Sequence, residues 1–241
     1  QPVPTKDHLE GLALRGRPGE WDEHLETSFL LKNGTTSLLY YAGYREPSTL
    51  PMEPSFLNAA TSVDGVTFSR ISSTPLLAPT PGWYDNDAIF SPTIIKSGGS
   101  FVMVYAGHCY SNCNYGFGVF LLAATSPDGR TWTKVRKPML RPSPSLSWMT
   151  EGVAEPTLVK GPDGAFYLFF TAVAGDLRTI GVARSTSIFG TWEVNPTPLI
   201  SPTLAQFTAC GVFAPSVLIE GGRVRMWYHG NACPENVRSG P

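Results

Sequence analysis

The sequence predicts an all-β fold, and three observations support the prediction. The chain has 241 residues, including 24 Gly and 22 Pro, and these residues interrupt nearly every window that could form a long helix. Aromatic residues make up 12% of the chain and stand in short apolar runs, which are typical of strands. One strand–turn–strand pattern also recurs four times along the chain.

The repeat is marked by a Ser or Thr near the middle of each first strand. These anchors are Ser28, Thr93, Thr157 and Ser216, so the repeat is about 60 residues long. A turn rich in Gly, Asn or Asp follows each anchor, and an aromatic strand follows each turn. The aromatic strands read SLLYYAG (37–43), FVMVYAG (101–107), AFYLFFTA (165–172) and RVRMWYHG (223–230).

A third strand and a short fourth strand follow in the first three modules, with the third strands predicted at 56–62, 118–126 and 180–187. Asp-Gly pairs at 64–65 and 128–129 favour tight hairpins before the fourth strand. Four short antiparallel strands are typical of a propeller blade, which must stack on its neighbours to bury both faces. We therefore predict a single β-propeller domain over 1–241; a solenoid of the same modules is the alternative.

The predicted blades span approximately 21–80, 81–145, 146–203 and 204–241. The fourth module ends soon after its second strand. Residues 9–16 resemble the missing outer strand, so we predict that this N-terminal strand completes the last blade and closes the ring. A five-bladed parent fold, with its last blade absent from this chain, is the alternative.

Charge and cysteine content narrow the expected partners and location. The formal net charge is −1, so neither nucleic acid nor an anionic membrane is an expected partner. No apolar run approaches the roughly 20 residues that a membrane-spanning helix needs. The four cysteines, Cys109, Cys113, Cys210 and Cys233, fit two disulfides in a secreted or periplasmic protein. Buried free thiols and a metal site are the alternatives.

Acidic residues recur just before the inner strand of the first three modules. One column precedes the Pro-Thr or Pro-Ser step and contains Glu26, Ser91, Glu155 and Ala214. A second column lies four residues earlier and contains Asp22, Asp87, Glu151 and Cys210. Because inner strands surround the propeller axis, we expect the five carboxylates to converge in one catalytic pocket. The alternative is that each carboxylate caps a turn by accepting backbone N–H bonds.

This set of residues is suited to glycoside hydrolysis, which uses one protonated acid and one ionised carboxylate. A third carboxylate can keep the pKa of the acid raised by like-charge repulsion. Aromatic and histidine side chains near the columns are the predicted sugar-binding residues: Trp21, Trp83, Tyr84, His108, Trp148, Phe213 and His229. We expect a carbohydrate substrate and no organic cofactor. Structural Ca²⁺ bound by Asp85, Asn86 and Asp87 is an alternative.

Several of these motifs resemble the furanosidase-type β-propeller superfamily, which includes glycoside hydrolase families 43, 32, 68 and 130. They are the inner-strand starts at 91–93, 155–157 and 214–216, the Tyr-x-Gly strand ends and the Ser-x-Asp-Gly-x-Thr-Trp turn, and they extend from about Trp21 to Gly230. The resemblance implies that Glu26 or Asp22 is the base or nucleophile, Asp87 modulates pKa, and Glu155 or Glu151 is the acid.

The sequence departs from this family pattern at two places. Glu26-Thr27 stands where family 43 has Asp-Pro, and Glu151-Gly152-Val153 stands where it has Glu-Gly-Pro. The turn is also similar to the sialidase Asp-box, but no Arg occupies the inner-strand column, where a sialidase would need a cluster of three. The predicted function is therefore a furanosidase-like glycoside hydrolase. A non-catalytic propeller that binds carbohydrate or protein is the alternative, and the sequence does not predict an oligomeric state.

Overall fold

The computed structural model describes residues 13–45, 54–203 and 208–232. These residues form fourteen β-strands and no helix, so the predicted all-β fold is confirmed. The described residues also contain no helix with the length and hydropathy that a bilayer crossing requires.

The strands form four successive antiparallel units, and we call each unit a blade. A single parallel bridge between Val119 and Gly152 joins the second and third units into one eight-stranded sheet. Blade 1 contains β1 (His24–Asn33), β2 (Thr36–Tyr44), β3 (Phe56–Ser62) and β4 (Ser69–Arg70). Blade 2 contains β5 (Ala88–Ser97), β6 (Ser100–Cys109), β7 (Gly118–Ser126) and β8 (Thr133–Lys134). Blade 3 contains β9 (Gly152–Lys160), β10 (Phe166–Ala174), β11 (Leu177–Ser185) and β12 (Glu193–Val194). The described part of blade 4 contains β13 (Gly211–Glu220) and β14 (Arg223–Asn231).

The Asp-Gly hairpins between the third and fourth strands form as the sequence predicts. In blade 2, Asp128 Oδ1 accepts hydrogen bonds from the Arg130 and Thr131 N–H groups, both at 2.7 Å. Gly129 has a φ of 73°, a conformation that glycine adopts at little cost. In blade 1, the same bonds from Val66, Ser62 and Thr67 lower the pKa of Asp64 to about 2.

Apolar side chains between the blades hold the inner strands around one axis. One cluster joins blades 1 and 2 and includes Tyr40, Leu57, Ile94, Met103 and Tyr105, all of which are buried. A second cluster joins blades 2 and 3 through buried side chains of β6, β7, β9 and β10. Since each blade has two apolar faces, it is covered only when a neighbour lies on each side.

The ring is open between blades 4 and 1 within the described residues, where no strand of one blade packs on a strand of the other. Trp227 of β14 is 57% exposed. Its equivalents in the strand register, Tyr40, Val104 and Phe169, are 0%, 0% and 7% exposed because the next blade or loop covers them. Blade 4 therefore presents to solvent the face that would meet a following blade.

The segment predicted to close the ring is only partly described. Ala13 lies beside blade 1, where its carbonyl accepts a hydrogen bond from the Phe68 N–H at 3.3 Å. Residues 13–16 form no strand, and residues 9–12 lie outside the described residues. Closure of the ring by residues 9–16 therefore stays a prediction.

Blades 1 and 2 each contain a buried group of an aspartate, a tyrosine and a basic residue. In each blade this group links the loop before the inner strand to the second and fourth strands. In blade 1, Asp22 accepts from Tyr41 at 3.0 Å and from Arg70 at 2.7 Å. In blade 2, Asp85 accepts from Tyr105 at 3.1 Å and pairs with Lys134. Both carboxylates are fully buried, and each is matched by charge and hydrogen bonds, as burial requires.

Blade 3 fills the same space with apolar groups. Trp148 takes the place of the aspartate and stacks on Phe170, with ring centroids 6.2 Å apart. Val194 replaces the basic residue in the strand register. A Cβ at Gly181 would lie 2.8 Å from the Trp148 ring, so glycine makes room for the larger side chain. The one polar group of Trp148, its indole N–H, donates to the Pro196 carbonyl at 3.0 Å. The same position in the fold therefore accepts either a paired carboxylate or an uncharged aromatic side chain.

Replacement of Lys134 by Met should destabilise the protein, because it leaves the Asp85 carboxylate buried without its counter-charge. We expect a loss of roughly 3 kcal/mol in the free energy of unfolding, near the lower end for a buried pair because Lys134 is partly exposed. The double variant Asp85→Asn/Lys134→Met should recover at least half of that loss. Urea-induced unfolding of the three proteins measures the difference.

The control is Arg184→Met, which removes an exposed ion pair with Asp163 at 2.9 Å. It should cost less than about 1 kcal/mol. An equally small loss of free energy of unfolding in Lys134→Met would show that the buried pair stabilises the protein no more than the exposed pair does.

Candidate functional site

Each inner strand is distorted at the same level of the propeller. Four non-glycine residues have positive φ values there: Thr27 at 27°, Ser91 at 50°, Glu155 at 49° and Ala214 at 51°. The pairing of each inner strand with its neighbour skips a register at this point, which marks a β-bulge. Positive φ is uncommon outside glycine, and a bulge re-aims a side chain. The four bulged residues therefore form one ring of equivalent positions.

These residues line a central cavity of about 520 Å³. The cavity wall consists of Thr27, Ser28, Phe29, Ser91, Pro92, Glu155, Pro156, Thr157, Ala214, Pro215, Ser216, Val217 and His229. The wall combines hydroxyl groups, proline rings and a single carboxylate among the described lining residues. A cleft of this size, with apolar surface and convergent polar groups, is typical of a small-molecule site.

Glu155 is the carboxylate that the structure places in the cavity. Its Oε2 accepts hydrogen bonds from the Thr171 hydroxyl at 2.6 Å and from the Ala214 N–H at 2.9 Å. The Ala214 N–H also approaches the Thr171 oxygen at 2.9 Å. Groups of blades 3 and 4 therefore fix the orientation of this half-buried side chain.

Glu26 lies beside the cavity wall rather than in the ring of bulged residues. Glu26 pairs with Ala42, and the equivalent pair in blade 2 is Phe90 with Ala106. Thr27, and not Glu26, is therefore equivalent to Glu155, which corrects the predicted column by one residue. Partial desolvation raises the pKa of the Glu26 carboxyl, although its surface remains exposed to solvent.

The second predicted column is also corrected in blade 1. Asp87 and Glu151 stand immediately before β5 and β9, and their N–H groups donate to the His108 and Val173 carbonyls. The residue immediately before β1 is Glu23, whose N–H donates to the Glu20 carbonyl instead. Asp22 instead lies in its buried ion pairs. Burial opposes ionisation of Asp22, but hydrogen bonds from Arg17, Arg70 and Tyr41 outweigh that effect and lower its pKa.

Asp87 and Glu151 act as turn and loop caps. Asp87 accepts hydrogen bonds from the N–H groups of Tyr110 and Ser111 and from the Ser111 hydroxyl. Burial opposes ionisation of Asp87, but these bonds and one from Asn86 outweigh it and lower the pKa. Glu151 is exposed and accepts from the Gly175 N–H at 3.0 Å. The described cavity wall includes neither residue nor Asp22, so the structure does not bring the five predicted carboxylates together.

Most of the predicted aromatic binding residues pack inside the blades. Trp21 stacks on Tyr41 with parallel rings, and Trp148 belongs to the blade 3 core. Trp83 and Tyr84 pack against each other and Tyr115. These four side chains are absent from the described cavity wall, because core packing buries the ring faces that a sugar would need.

The three remaining predicted binding residues, Phe213, His229 and His108, differ in their relation to the cavity. His229 lines the cavity and meets the Phe213 ring edge-on, with centroids 5.4 Å apart. His108 is buried, packs against the Tyr110 ring at a tilt of 45° and is not part of the described wall. Desolvation lowers the pKa of His108 to about 4, so this imidazole is neutral at pH 7.

Cysteine pairing and carboxylate contacts bear on the metal alternatives. Cys109 and Cys113 form a disulfide, which confirms one predicted pair; Cys210 is also disulfide-bonded, and Cys233 lies outside the described residues. Asp87 lies near the two joined sulfurs, which cannot act as thiolate ligands. Asp85 pairs with Lys134, and Asn86 bonds the Gly82 N–H. The carboxylates proposed for Ca²⁺ are therefore already engaged by protein donors.

Two polar residues of the site, Ser91 and Thr171, are not among the catalytic or binding residues predicted from the sequence. Ser91 lines the cavity, and its buried Oγ has no hydrogen-bond partner among the described residues. Thr171 donates a hydrogen bond to Glu155, and its only sequence signal is a lone threonine in the strand FYLFFTA. Both residues can be assigned to the site only after the inner strands are placed around the axis.

No protein-family model and no curated protein matches the chain, but solved structures do. A glycoside hydrolase is 17% identical with a TM-score of 0.72, over 94% of this chain and 74% of its own. A family-32 β-fructofuranosidase of Bombyx mori is 18% identical with a TM-score of 0.69, over 93% and 45% respectively. A thermostable family-43 glycoside hydrolase is 17% identical with a TM-score of 0.67, over 85% and 65%.

These similarities establish the fold. The chain shares its predicted β-propeller fold with the family-43 and family-32 glycoside hydrolases that it matches. It spans between 45% and 74% of the length of the three structures. A fold can host unrelated activities, so the function has to be argued from the site.

Replacement of Asp87 by Ala should loosen the loop closed by Cys109 and Cys113 without removing a group that lines the cavity. The Tyr110 and Ser111 amides lose a charged acceptor, so their hydrogen exchange should accelerate about 10–100-fold. Exchange measured by NMR checks this result. Glu151→Ala is the matched control and should accelerate only the Gly175 amide. Unchanged exchange at Tyr110 and Ser111 would contradict the capping role.

Proposed function

We propose that the protein is a glycoside hydrolase that binds a carbohydrate in the central cavity and acts through Glu155. One observation carries the proposal: Glu155 is the carboxylate in the described cavity wall, and two donors fix its orientation. The fold shared with glycoside hydrolases supports the same reaction class. Secretion or export to the periplasm fits the Cys109–Cys113 disulfide.

The two reacting carboxylates in this proposal are Glu155 and Glu26. The hydroxyl and the amide N–H both donate to Glu155, which suits the ionised base or nucleophile. Glu26 precedes Thr27 of the cavity wall, and its raised pKa favours retention of a proton, which suits the general acid. These roles reverse the assignment implied by the family resemblance.

Hydroxyl groups of the wall would bind the sugar in place of the predicted aromatic faces. Ser91 lines the cavity and its buried Oγ has no protein partner among the described residues, so a rotation of the hydroxyl toward the cavity would let a sugar hydroxyl satisfy it. His229 could contact the same ligand, with Phe213 against its ring. The proline rings at 92, 156 and 215 supply apolar surface for the sugar ring.

A non-catalytic carbohydrate-binding propeller is the second candidate, and one observation favours it. Asp22, Asp87 and Glu151 are engaged away from the described cavity wall. Hydrolysis then depends on Glu26 as the second carboxylate, whereas binding requires only the cavity. Kinetics of variants at Glu26 and Glu155 separate the two candidates.

Hydrolysis of a panel of aryl glycosides and polysaccharides by wild type, Glu155→Gln and Glu26→Gln tests the proposal. Glu155→Gln should lower kcat about 10²–10⁴-fold on every substrate, because no base or nucleophile remains. Glu26→Gln should lose as much on substrates with poor leaving groups and far less on dinitrophenyl glycosides, which leave without a proton.

The pH dependence of activity is a second test of the proposed role of Glu26. A raised Glu26 pKa keeps the acid protonated to higher pH, so wild-type activity should fall as pH rises through that pKa. Glu26→Gln should lack this alkaline limb. Glu151→Gln is the control and should remain within about threefold of wild type, since Glu151 only caps the Gly175 turn.

Full activity in Glu155→Gln would overturn the role of Glu155. Sugar binding by calorimetry without hydrolysis of any substrate would establish the binding candidate instead.

A further inference from the structure

Thr171 occupies a position at which the first two blades have alanine. It lies in β10 and pairs with Ala154, and the equivalent residues are Ala42 in β2 and Ala106 in β6. Thr171 is 2% exposed. Burial of a hydroxyl in a strand of Phe, Leu and Ala destabilises a fold unless the hydroxyl is hydrogen-bonded. The blade itself therefore has no need of a polar group here.

The direction of the hydrogen bonds at Thr171 is fixed by its partners. The Ala214 N–H can only donate, so the Thr171 oxygen accepts from it at 2.9 Å. The hydroxyl proton is then free for the other neighbour, and it points to Glu155 Oε2 at 2.6 Å. Since the same N–H also reaches Oε2, two donors, one from each of two blades, meet at one carboxylate oxygen.

The equivalent link between blades 1 and 2 needs no such arrangement. There, the Ser91 N–H donates directly to Thr27 Oγ1 at 2.9 Å, and one hydroxyl group completes the contact. A threonine at 155 could serve blades 3 and 4 in the same way. Glutamate at this position, with Thr171 behind it, therefore goes beyond what joining the blades requires.

We propose that Thr171 is a positioning residue that reserves Oε2 of Glu155 for protein contacts and leaves Oε1 to meet the substrate or water. Oε1 has no hydrogen-bond partner among the described residues. The inference rests on the proposed function, since it assigns the two oxygens of the carboxylate that would act there. Preorganisation of this kind matters because a misplacement of about 1 Å can lower a rate 10²-fold.

The test compares Thr171→Val, Thr171→Ser and Thr179→Val on a substrate that the wild type hydrolyses. Thr171→Val keeps the shape but removes the hydroxyl, so kcat should fall about 10–100-fold with KM within about twofold. Thr171→Ser restores the donor and should return kcat to within about threefold of wild type. Thr179 is a buried threonine of β11 whose Oγ1 has no partner among the described residues, so Thr179→Val should leave kcat unchanged.

A structural readout keeps this inference separate from the proposed function. The Ala214 amide proton is donated to Glu155 Oε2 and Thr171 Oγ1, so its chemical shift should respond when either acceptor is replaced. That response should appear in Glu155→Gln and in Thr171→Val, whether or not any sugar is hydrolysed.

Unchanged kcat and unchanged Ala214 shifts in Thr171→Val would overturn the positioning role. Equal losses of kcat in Thr171→Val and Thr171→Ser, with both proteins less stable, would also overturn it and leave Thr171 as a packing residue. A normal Ala214 response in a protein that hydrolyses no glycoside would reject the proposed function and the role of Oε1 in it, while retaining the hydrogen-bond cluster.

Discussion

The structure depends on the burial of blade faces by neighbouring blades. A four-stranded sheet with two apolar faces cannot bury both by itself, so it stacks on its neighbours and directs its inner strand toward a common axis. Clusters around Tyr105 and Phe170 do this between successive blades. The central cavity is a consequence of that stacking, because four inner strands converge without filling the axis.

The bulge in each inner strand converts this scaffold into a site. It places one residue per blade in a positive-φ conformation at the same height, and the side chain there can vary while the backbone does not. The side chains at this position differ between the blades: they are Thr27, Ser91, Glu155 and Ala214. Thr27 links two blades, Ser91 has a buried hydroxyl without a partner among the described residues, and Glu155 brings the carboxylate. The candidate functional side chains are therefore concentrated in one ring of positions where packing of the blades does not determine the residue type.

Acidic residues in this fold have two distinct uses. Asp22 and Asp85 are deeply buried and stabilise the junctions through paired bases and tyrosines, and blade 3 shows that Trp148 with Phe170 can take their place. Asp87 and Glu151 satisfy backbone N–H groups at loops. A carboxylate that stands just before an inner strand in the sequence is therefore not evidence of catalysis until its hydrogen-bond partners are known.

The sequence alone determined the modules, the strands, the Asp-Gly hairpins and the candidacy of Glu155, because these follow from local periodicity and turn chemistry. The Cys109–Cys113 pair, one of several options in the sequence, was settled only by the structure. Tertiary structure decided which acids meet: one residue fewer separates Asp22 from Thr27 than Asp85 from Ser91, so a count along the chain shifts blade 1 by one position. It also decided the role of Thr171, whose partners Glu155 and Ala214 come from other strands. Spacing records distance along the chain, whereas charge pairing and hydrogen bonds depend on distance in space.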